Sequence, residues 1–277
     1  MGDKYVRSVN WHITSRCNYN CRFCFARRLG EEIKDITIAV NILEKLKDIG
    51  MKKINFVGGE PLLHPLIFDL IRIAKEMGFL TSIVSNGYYL NRESIERLSP
   101  WLDLIGLSVD SSYEKIQSQL GRGDGTHINH ICNVASLVHD NNINLKINTT
   151  VTKLTFTEDM KPLIKELNPM RWKVFQVLPV MGQNEEHIEE LKISNCEFKQ
   201  FIQRNCNLRL AQGEMPVFET NDDMVDSYFM IGPDGSIVKN SGMDHSIQPM
   251  YCSCIEQVLE IVDWERYYGR GGDYWNH

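Results

Sequence analysis

No apolar run in the chain approaches the roughly 18 to 20 residues that cross a bilayer, so the sequence predicts no transmembrane helix. The opening stretch, MGDKYVRSVNWHIT, lacks the apolar core of a secretory signal and runs almost at once into a strand pattern. Gly2 does not complete an acylation motif, because Val6 stands where N-myristoylation places Ser or Thr. An excess of positive charge is also missing. The formal net charge is −6, which argues against a general binder of nucleic-acid polymers or anionic membranes, while leaving room for a local basic pocket. There is no internal repeat, low-complexity segment or obvious interdomain linker. The eight cysteines are unevenly spaced in a chain too long to need staples, which predicts a reducing, cytoplasmic setting. What is present is ordinary for a soluble globular protein: 277 residues, 43% hydrophobic and 24% charged, enough for one barrel-like domain or two smaller ones.

Two rhythms alternate from residue 8 to about 180. Short β-branched runs recur at SVNWHIT, KINFVGG, LTSIVSNG, LIGLSVD, LKINTTV and WKVFQVLPV. Amphipathic stretches with helical spacing separate them. In TIAVNILEKLKDIG, Val40, Leu43, Leu46 and Ile49 share a face and Gly50 supplies the stop. About six strand–helix units imply an α/β fold with a parallel sheet and helices outside it. Six are too few for the closed eight-stranded barrel, so the expected architecture is an open, partial (βα)6 barrel. We divide the chain into a core over residues 1–185 and a C-terminal extension over 186–277. The extension carries a helix at CEFKQFIQRN, a hairpin at YFMIGPDGSIVK with a Pro-Asp-Gly turn, and an aromatic, glycine-rich tail. It is expected to close the barrel mouth and complete the substrate site within one structural unit.

Cys17, Cys21 and Cys24 follow the first strand directly, at the carboxyl edge of the sheet where α/β proteins bind ligands. Three thiolates leave a four-ligand site one short. A structural zinc would need a fourth ligand, which His12 offers from the strand, although the spacing is unlike common zinc knuckles. A 4Fe–4S cluster held by three cysteines would instead leave one iron open to a small molecule. Unligated thiols are the third reading. On the residues alone all three stand.

Cys17-x3-Cys21-x2-Cys24, with Phe23 before the last cysteine, resembles the signature of radical S-adenosylmethionine enzymes. The resemblance continues in order along the chain. GGEP at 58–61 resembles the segment that meets the methionine amine of S-adenosylmethionine (SAM). SNG at 85–87 and SVD at 108–110 resemble the strand ends that contact its ribose and carboxylate. By that likeness Gly58, Gly59, Glu60, Ser85, Asn86, Ser108 and Arg122 are cofactor-binding. The implied chemistry accounts for the missing thiolate: the amine and carboxylate of SAM chelate the fourth iron. One electron then yields a 5′-deoxyadenosyl radical, so the resemblance also implies an electron donor.

Beyond the general signature, the chain resembles the viperin family with its prokaryotic and fungal relatives, through GRGDG, LKIN, LNPMRWKVFQ, DSY and RGG. That family removes the C4′ hydrogen of a nucleoside triphosphate and loses its 3′-hydroxyl as water. The product is the 3′-deoxy-3′,4′-didehydro nucleotide, an antiviral chain terminator. A triphosphate carries about four negative charges, so cations must converge in this acidic chain. Arg122, Lys146, Lys173 and Arg270 are the candidates. Lys146 and Lys173 sit inside apolar strand patterns, where a solvated lysine is unexpected; pairing to carboxylates is the competing explanation. The resemblance assigns Asn10, His12, Arg122, Lys146, Asn148, Lys173 and Arg270 to the substrate and Tyr228 to catalysis near the sugar.

The chain departs from animal viperins at KNSGMDHS, 239–246, where they carry a basic run, and at Trp11, where they carry tyrosine. The amphipathic membrane helix of animal viperins is also missing, so no membrane partner is expected. A cytosine, uracil or guanine triphosphate stays open, as does the reductant, and the expected state is a monomer. Cys132 lies on an apolar helical face and reads as a small hydrophobe. Cys196, Cys206, Cys252 and Cys254 raise one rival, an auxiliary cluster in a peptide- or carbohydrate-modifying radical enzyme. A non-catalytic zinc or nucleotide-binding module is the other. Iron analysis separates the three at about four, about eight or no irons per chain.

Overall fold

Ten strands form a single sheet in the computed structural model, which describes residues 7–238, 249–250, 259–260 and 262–272. Six strands come from the alternating region: β1 Ser8–His12, β2 Lys53–Val57, β3 Leu80–Ser85, β4 Leu104–Ser108, β5 Asn144–Val151 and β6 Arg171–Gln176. They lie side by side in chain order, all parallel. The remaining strands are β7 Val217–Glu219, β8 Phe229–Ile231, β9 Ile237–Val238 and β10 Pro249–Met250. β7 adds parallel to β6 at one edge and β8 adds parallel to β1 at the other. β9 and β10 continue antiparallel. The sheet is open, as expected for a partial barrel.

Strand alternation sorts the side chains. On β1, Ser8, Asn10 and His12 face the cavity side, whereas Val9 and Trp11 are fully buried in the core. On β5, Lys146, Asn148 and Thr150 line the cavity, and Leu145, Ile147 and Val151 pack outward. On β6, Lys173 and Phe175 face in, and Trp172 and Val174 face out. Helices Ile36–Asp48, Ile67–Glu76, Arg92–Leu98, His127–Asp140 and Lys161–Leu167 cover that outer face. Leu43, Leu46, Leu70, Ile71, Val134 and Val138 are their buried contributions, each contributing about 1.5–3 kcal/mol on burial. Helix Lys161–Leu167 starts with Pro162 in its first turn, where a missing N–H costs nothing, and ends on Asn168 in the left-handed region at φ 47.

Trp11 points away from the cavity. It stacks near Phe56, with centroids 6.1 Å apart, and donates to the Gly232 carbonyl at 3.2 Å. Trp11 therefore anchors the β8–β9 hairpin and does not touch the cavity wall. The expected helix at CEFKQFIQRN runs Asn195–Asn205 behind a capping box of Ser194 and Glu197. Helices Glu114–Gln119, Glu185–Leu191, Asn221–Met224 and Trp264–Gly269 and strands β7 and β10 are among the elements with no clear sequence pattern. Residues 239–246, Cys252 and Cys254 lie outside the described residues.

Candidate functional site at the sheet's carboxyl edge

The cysteine loop is stitched down on two sides. On one, Ile13 donates to Val57, Gly59 to Thr14 and Glu60 to Arg16, at 2.8, 2.6 and 2.7 Å. A Cβ on Gly59 would lie 2.1 Å from the Arg16 carbonyl oxygen, and one on Gly58 2.5 Å from that of Thr14. Both glycines are thus required by the approach of the loop itself. On the other side, Asn20 donates to Gly121 at 3.2 Å and Arg22 to Leu120 at 2.9 Å. A Cβ on Gly121 would meet the Asn20 oxygen at 2.2 Å.

Cys17, Cys21 and Cys24 all open onto one cavity of about 310 Å³, a volume suited to small ligands. The sulfurs already receive donors: the Tyr19 amide to Cys17 and the Ala26 amide to Cys24, each at 3.4 Å. Burial pushes the Cys21 thiol up to about 12, against the pull of the Arg122 guanidinium, so metal binding must displace its proton. A single tetrahedral zinc holds its sulfurs within about 4 Å of one another. Among the described residues, no three His, Cys, Asp or Glu side chains gather around a point that one ion could occupy. His12 stacks edge-on to Phe25 at 5.7 Å and does not complete a zinc site. Backbone amide hydrogens are aimed at two of the three sulfurs, Cys17 and Cys24.

Glu60 sits behind the cavity wall. Its carboxylate accepts from Ser85 Oγ at 2.9 Å, the Asn86 amide at 2.8 Å and the Leu62 amide at 3.2 Å, tying the exits of β2 and β3 together. Burial raises it to about 7 against these three donors. Gly58, Gly59, Ser85, Asn86 and Ser108 line the cavity beside the cysteines. Arg122 joins this end as well. Its Nε meets Asp110 Oδ2 at 2.5 Å, its guanidinium lies 5.8 Å over Phe23, and Asp110 keeps it charged against burial. Arg122 thus stands at the cysteine end of the cavity, paired to Asp110.

Lys146 and Asn148 of β5, Asn10 and His12 of β1, and Lys173 of β6 line the rest of the cavity with Tyr228. A recess of about 40 Å³ adjoins it, lined by Lys53, Lys146, Lys173 and Arg270. One buried carboxylate organises this end. Glu219 Oε1 meets Lys173 Nζ at 2.6 Å and Arg270 Nη1 at 3.2 Å, and its Oε2 accepts from the Tyr228 phenol. Lys173 also donates to the Tyr228 oxygen at 2.8 Å, and the Arg270 guanidinium lies 3.6 Å over the Tyr228 ring. Burial alone would raise the Glu219 carboxyl, but the Lys173 and Arg270 cations hold it below the usual range. Burial lowers Lys173 and raises Tyr228. Two polar atoms, His12 Nδ1 and Asn148 Oδ1, are buried without a partner among the described residues. Both belong to residues that line the cavity.

A family model described as the radical SAM superfamily matches residues 11–192. An S-adenosylmethionine-dependent nucleotide dehydratase of a Thermoplasmatales archaeon (strain ISO4-H5) is 36% identical, over 97% of this chain and 95% of the relative. One from Flammeovirga pacifica is 35% identical, over 94% and 89%. The chain belongs to this radical SAM nucleotide dehydratase family. An equivalent from Danio rerio is 34% identical over 81% of this chain and 64% of its own length. Among solved structures, Streptococcus suis SuiB bound to S-adenosylmethionine matches with a TM-score of 0.66 at 19% identity, over 97% of this chain and 68% of that one. AnSMEcpe with bound AdoMet matches at 0.64 and 15%, over 95% and 82%. Those two are likenesses of fold. Radical SAM enzymes use a 4Fe–4S cluster and SAM, and three cysteines opening onto one cavity are a donor set of the kind that holds such a cluster.

Lys53, Asn55 and Glu219 were not among the residues the sequence pointed to. Lys-Ile-Asn occurs twice, at 53–55 on β2 and 146–148 on β5, and each copy turns Lys and Asn inward. That repeat was a usable signal. Burial, with the Arg171 cation, lowers Lys53 to about 7. Glu219 ends a three-residue strand and left no periodic trace. Cys132 is half-buried against the core as expected, while Cys196 and Cys206 stand at opposite ends of helix Asn195–Asn205.

Burial lowers His12 to about 4 and His127 to about 3. The unfolded chain protonates these groups as pH falls through about 6.5, whereas the folded imidazoles stay neutral. Their contribution to stability is therefore complete above pH 6.5 and lost between 6.5 and about 4, by roughly 3 kcal/mol for His12. Urea midpoints at pH 7 and 4.5 should converge in His12→Gln relative to the parent. An equal acid loss in both proteins would refute a neutral buried His12.

Proposed function

We propose that the chain dehydrates a nucleoside triphosphate to its 3′-deoxy-3′,4′-didehydro form by removal of the C4′ hydrogen and loss of the 3′-hydroxyl as water. CTP or UTP is the favoured substrate, with GTP the alternative. The reading is supported above all by one cavity that joins a three-cysteine loop at one end to a buried cationic recess at the other. When bound, the cluster and SAM supply the hydrogen-abstracting 5′-deoxyadenosyl radical. Cys17, Cys21 and Cys24 would hold the cluster, and Gly58, Gly59, Ser85, Asn86, Ser108 and Arg122, which line the cavity beside it, would border SAM.

Lys53, Lys146, Lys173 and Arg270 would take the phosphates, with charge-assisted contacts that a buried setting strengthens. The unpartnered His12 Nδ1 and Asn148 Oδ1 would bond the sugar or base, relieving a burial penalty of about 1–3 kcal/mol each. Loss of water needs a proton on the departing oxygen. Lys173, an ammonium whose proton is loosened by burial, and Tyr228, whose phenol stays protonated, are the acids of this wall. Glu219 keeps both in one hydrogen-bonded group. Residues 186–277 contribute Glu219, Tyr228 and Arg270, and so would complete a site begun by residues 1–185 as one unit. An external one-electron donor is required, and the free thiols suit the cytoplasm.

Anaerobic assays with SAM, dithionite and single nucleotides test the proposal. Triphosphates should raise 5′-deoxyadenosine release well above background, with di- and monophosphates each about tenfold weaker or worse, and nucleosides inert. Deuterium at C4′ should appear in 5′-deoxyadenosine. Stimulation by a peptide or sugar, and by no nucleotide, would overturn the substrate class.

A further inference from the structure

Asn86 has no polar group to spare. Its Oδ1 accepts from the Tyr88 amide at 2.9 Å, and its Nδ2 donates to Asn18 Oδ1 at 2.8 Å and to Cys17 Sγ at 3.7 Å. A backbone amide can only donate, so the oxygen must face Tyr88 and the nitrogen must face the sulfur. Both amide hydrogens then have acceptors. The side chain is left with no donor for an adenosyl ligand, although it stands on the cavity wall.

The other donors to the triplet are backbone groups, Tyr19 to Cys17 and Ala26 to Cys24. Among the described residues, Asn86 is thus the one side chain that hydrogen-bonds a sulfur of the triplet, and Cys17 is the one sulfur with two donors. Reduction adds one electron to a cluster from an external donor and makes or breaks no bond at Asn86. A donor aimed at a ligand sulfur stabilises the extra negative charge, and hydrogen bonds to sulfur are among the terms that set cluster potentials. We propose that Asn86 is a redox-tuning residue: its amide raises the reduction potential of the cluster through Cys17, and its side chain does not bind SAM. The geometry also explains the unequal environment of the three thiolates. Cys17 is doubly donated, Cys24 singly, and Cys21 is buried beside the Arg122–Asp110 pair.

The proposal rests on cluster binding by the triplet and not on the nucleotide reading, so its test contains no nucleotide. Spectroelectrochemical titration of the reconstituted full chain measures the midpoint. Asn86→Leu should shift the reduction equilibrium about tenfold towards the oxidised form, which is 59 mV for a one-electron couple. Asn86→Asp keeps the acceptor for the Tyr88 amide, so the turn survives, but it replaces the donor by an anion. Its midpoint should fall at least as far. Asn18→Ala removes the other acceptor of Asn86 and leaves the bond to sulfur, so its midpoint should stay close to the parent value. Parental midpoints in both Asn86 variants at full iron content would overturn the proposal. So would a shift in Asn18→Ala as large as that in Asn86→Leu, because the loop tie rather than the bond to sulfur would then be responsible.

Discussion

Alanine at Cys17, Cys21 or Cys24 is expected to remove the iron–sulfur absorbance and abolish 5′-deoxyadenosine formation, each substitution alone being sufficient. Two thiolates cannot hold a cluster that already lacks a fourth protein ligand. The fold should survive these changes. The loop is fixed mainly by backbone bonds of residues 13, 20, 22, 59 and 60, which the substitutions leave in place. Far-ultraviolet circular dichroism should therefore match the parent while iron per chain falls from about four to near zero. Retention of iron in any one variant would show that another side chain substitutes, and would break the three-ligand assignment. Cys196→Ala should leave iron content unchanged, since that thiol is exposed at the start of its helix.

Glu219→Leu is expected to give a larger loss of stability than truncation of any residue that lines the cavity. The carboxylate is fully buried and is shared by Lys173, Arg270 and the Tyr228 phenol. Its removal leaves two buried cations facing each other without a counter-charge. Breaking a buried pair from one side costs about 3–5 kcal/mol. At roughly 2–4 °C per kcal/mol for a chain of this size, the melting temperature should fall by about 6–20 °C. Glu219→Gln keeps an acceptor and should lose less. Inorganic triphosphate should restore more stability to Glu219→Leu than it adds to the parent, because both freed cations then take their counter-charge from the ligand. Thermal melts with and without triphosphate measure both effects. A melting temperature within 2 °C of the parent would mean that Lys173 and Arg270 are neutralised elsewhere.

Much of this architecture was legible because its signals are local. The six strands and the helices between them follow from periodicity within windows of about a dozen residues. The spacing of Cys17, Cys21 and Cys24 is a property of one loop. Lys146 and Lys173 stood out because a charge inside an apolar strand needs a partner. Gly58 and Gly59 also answer a demand that lies outside their own stretch of sequence. Their most direct demand comes from the carbonyls of Thr14 and Arg16, more than forty residues away in the chain.

The sequence by itself determined the succession of strands β1 to β6, the identity of the thiolate loop and four of the cations, Arg122, Lys146, Lys173 and Arg270. Each of these is encoded by neighbours along the chain. Only the tertiary structure decided which cations belong together. It separated Arg122, committed to Asp110 beside the cysteines, from Lys146, Lys173 and Arg270. It also added Lys53 to that second group and set Glu219 between Lys173 and Arg270. The physical reason is that charge pairing acts through space. β6 meets β7 and the final helix only after the sheet has formed, so the partners of a buried lysine cannot be read from its own strand.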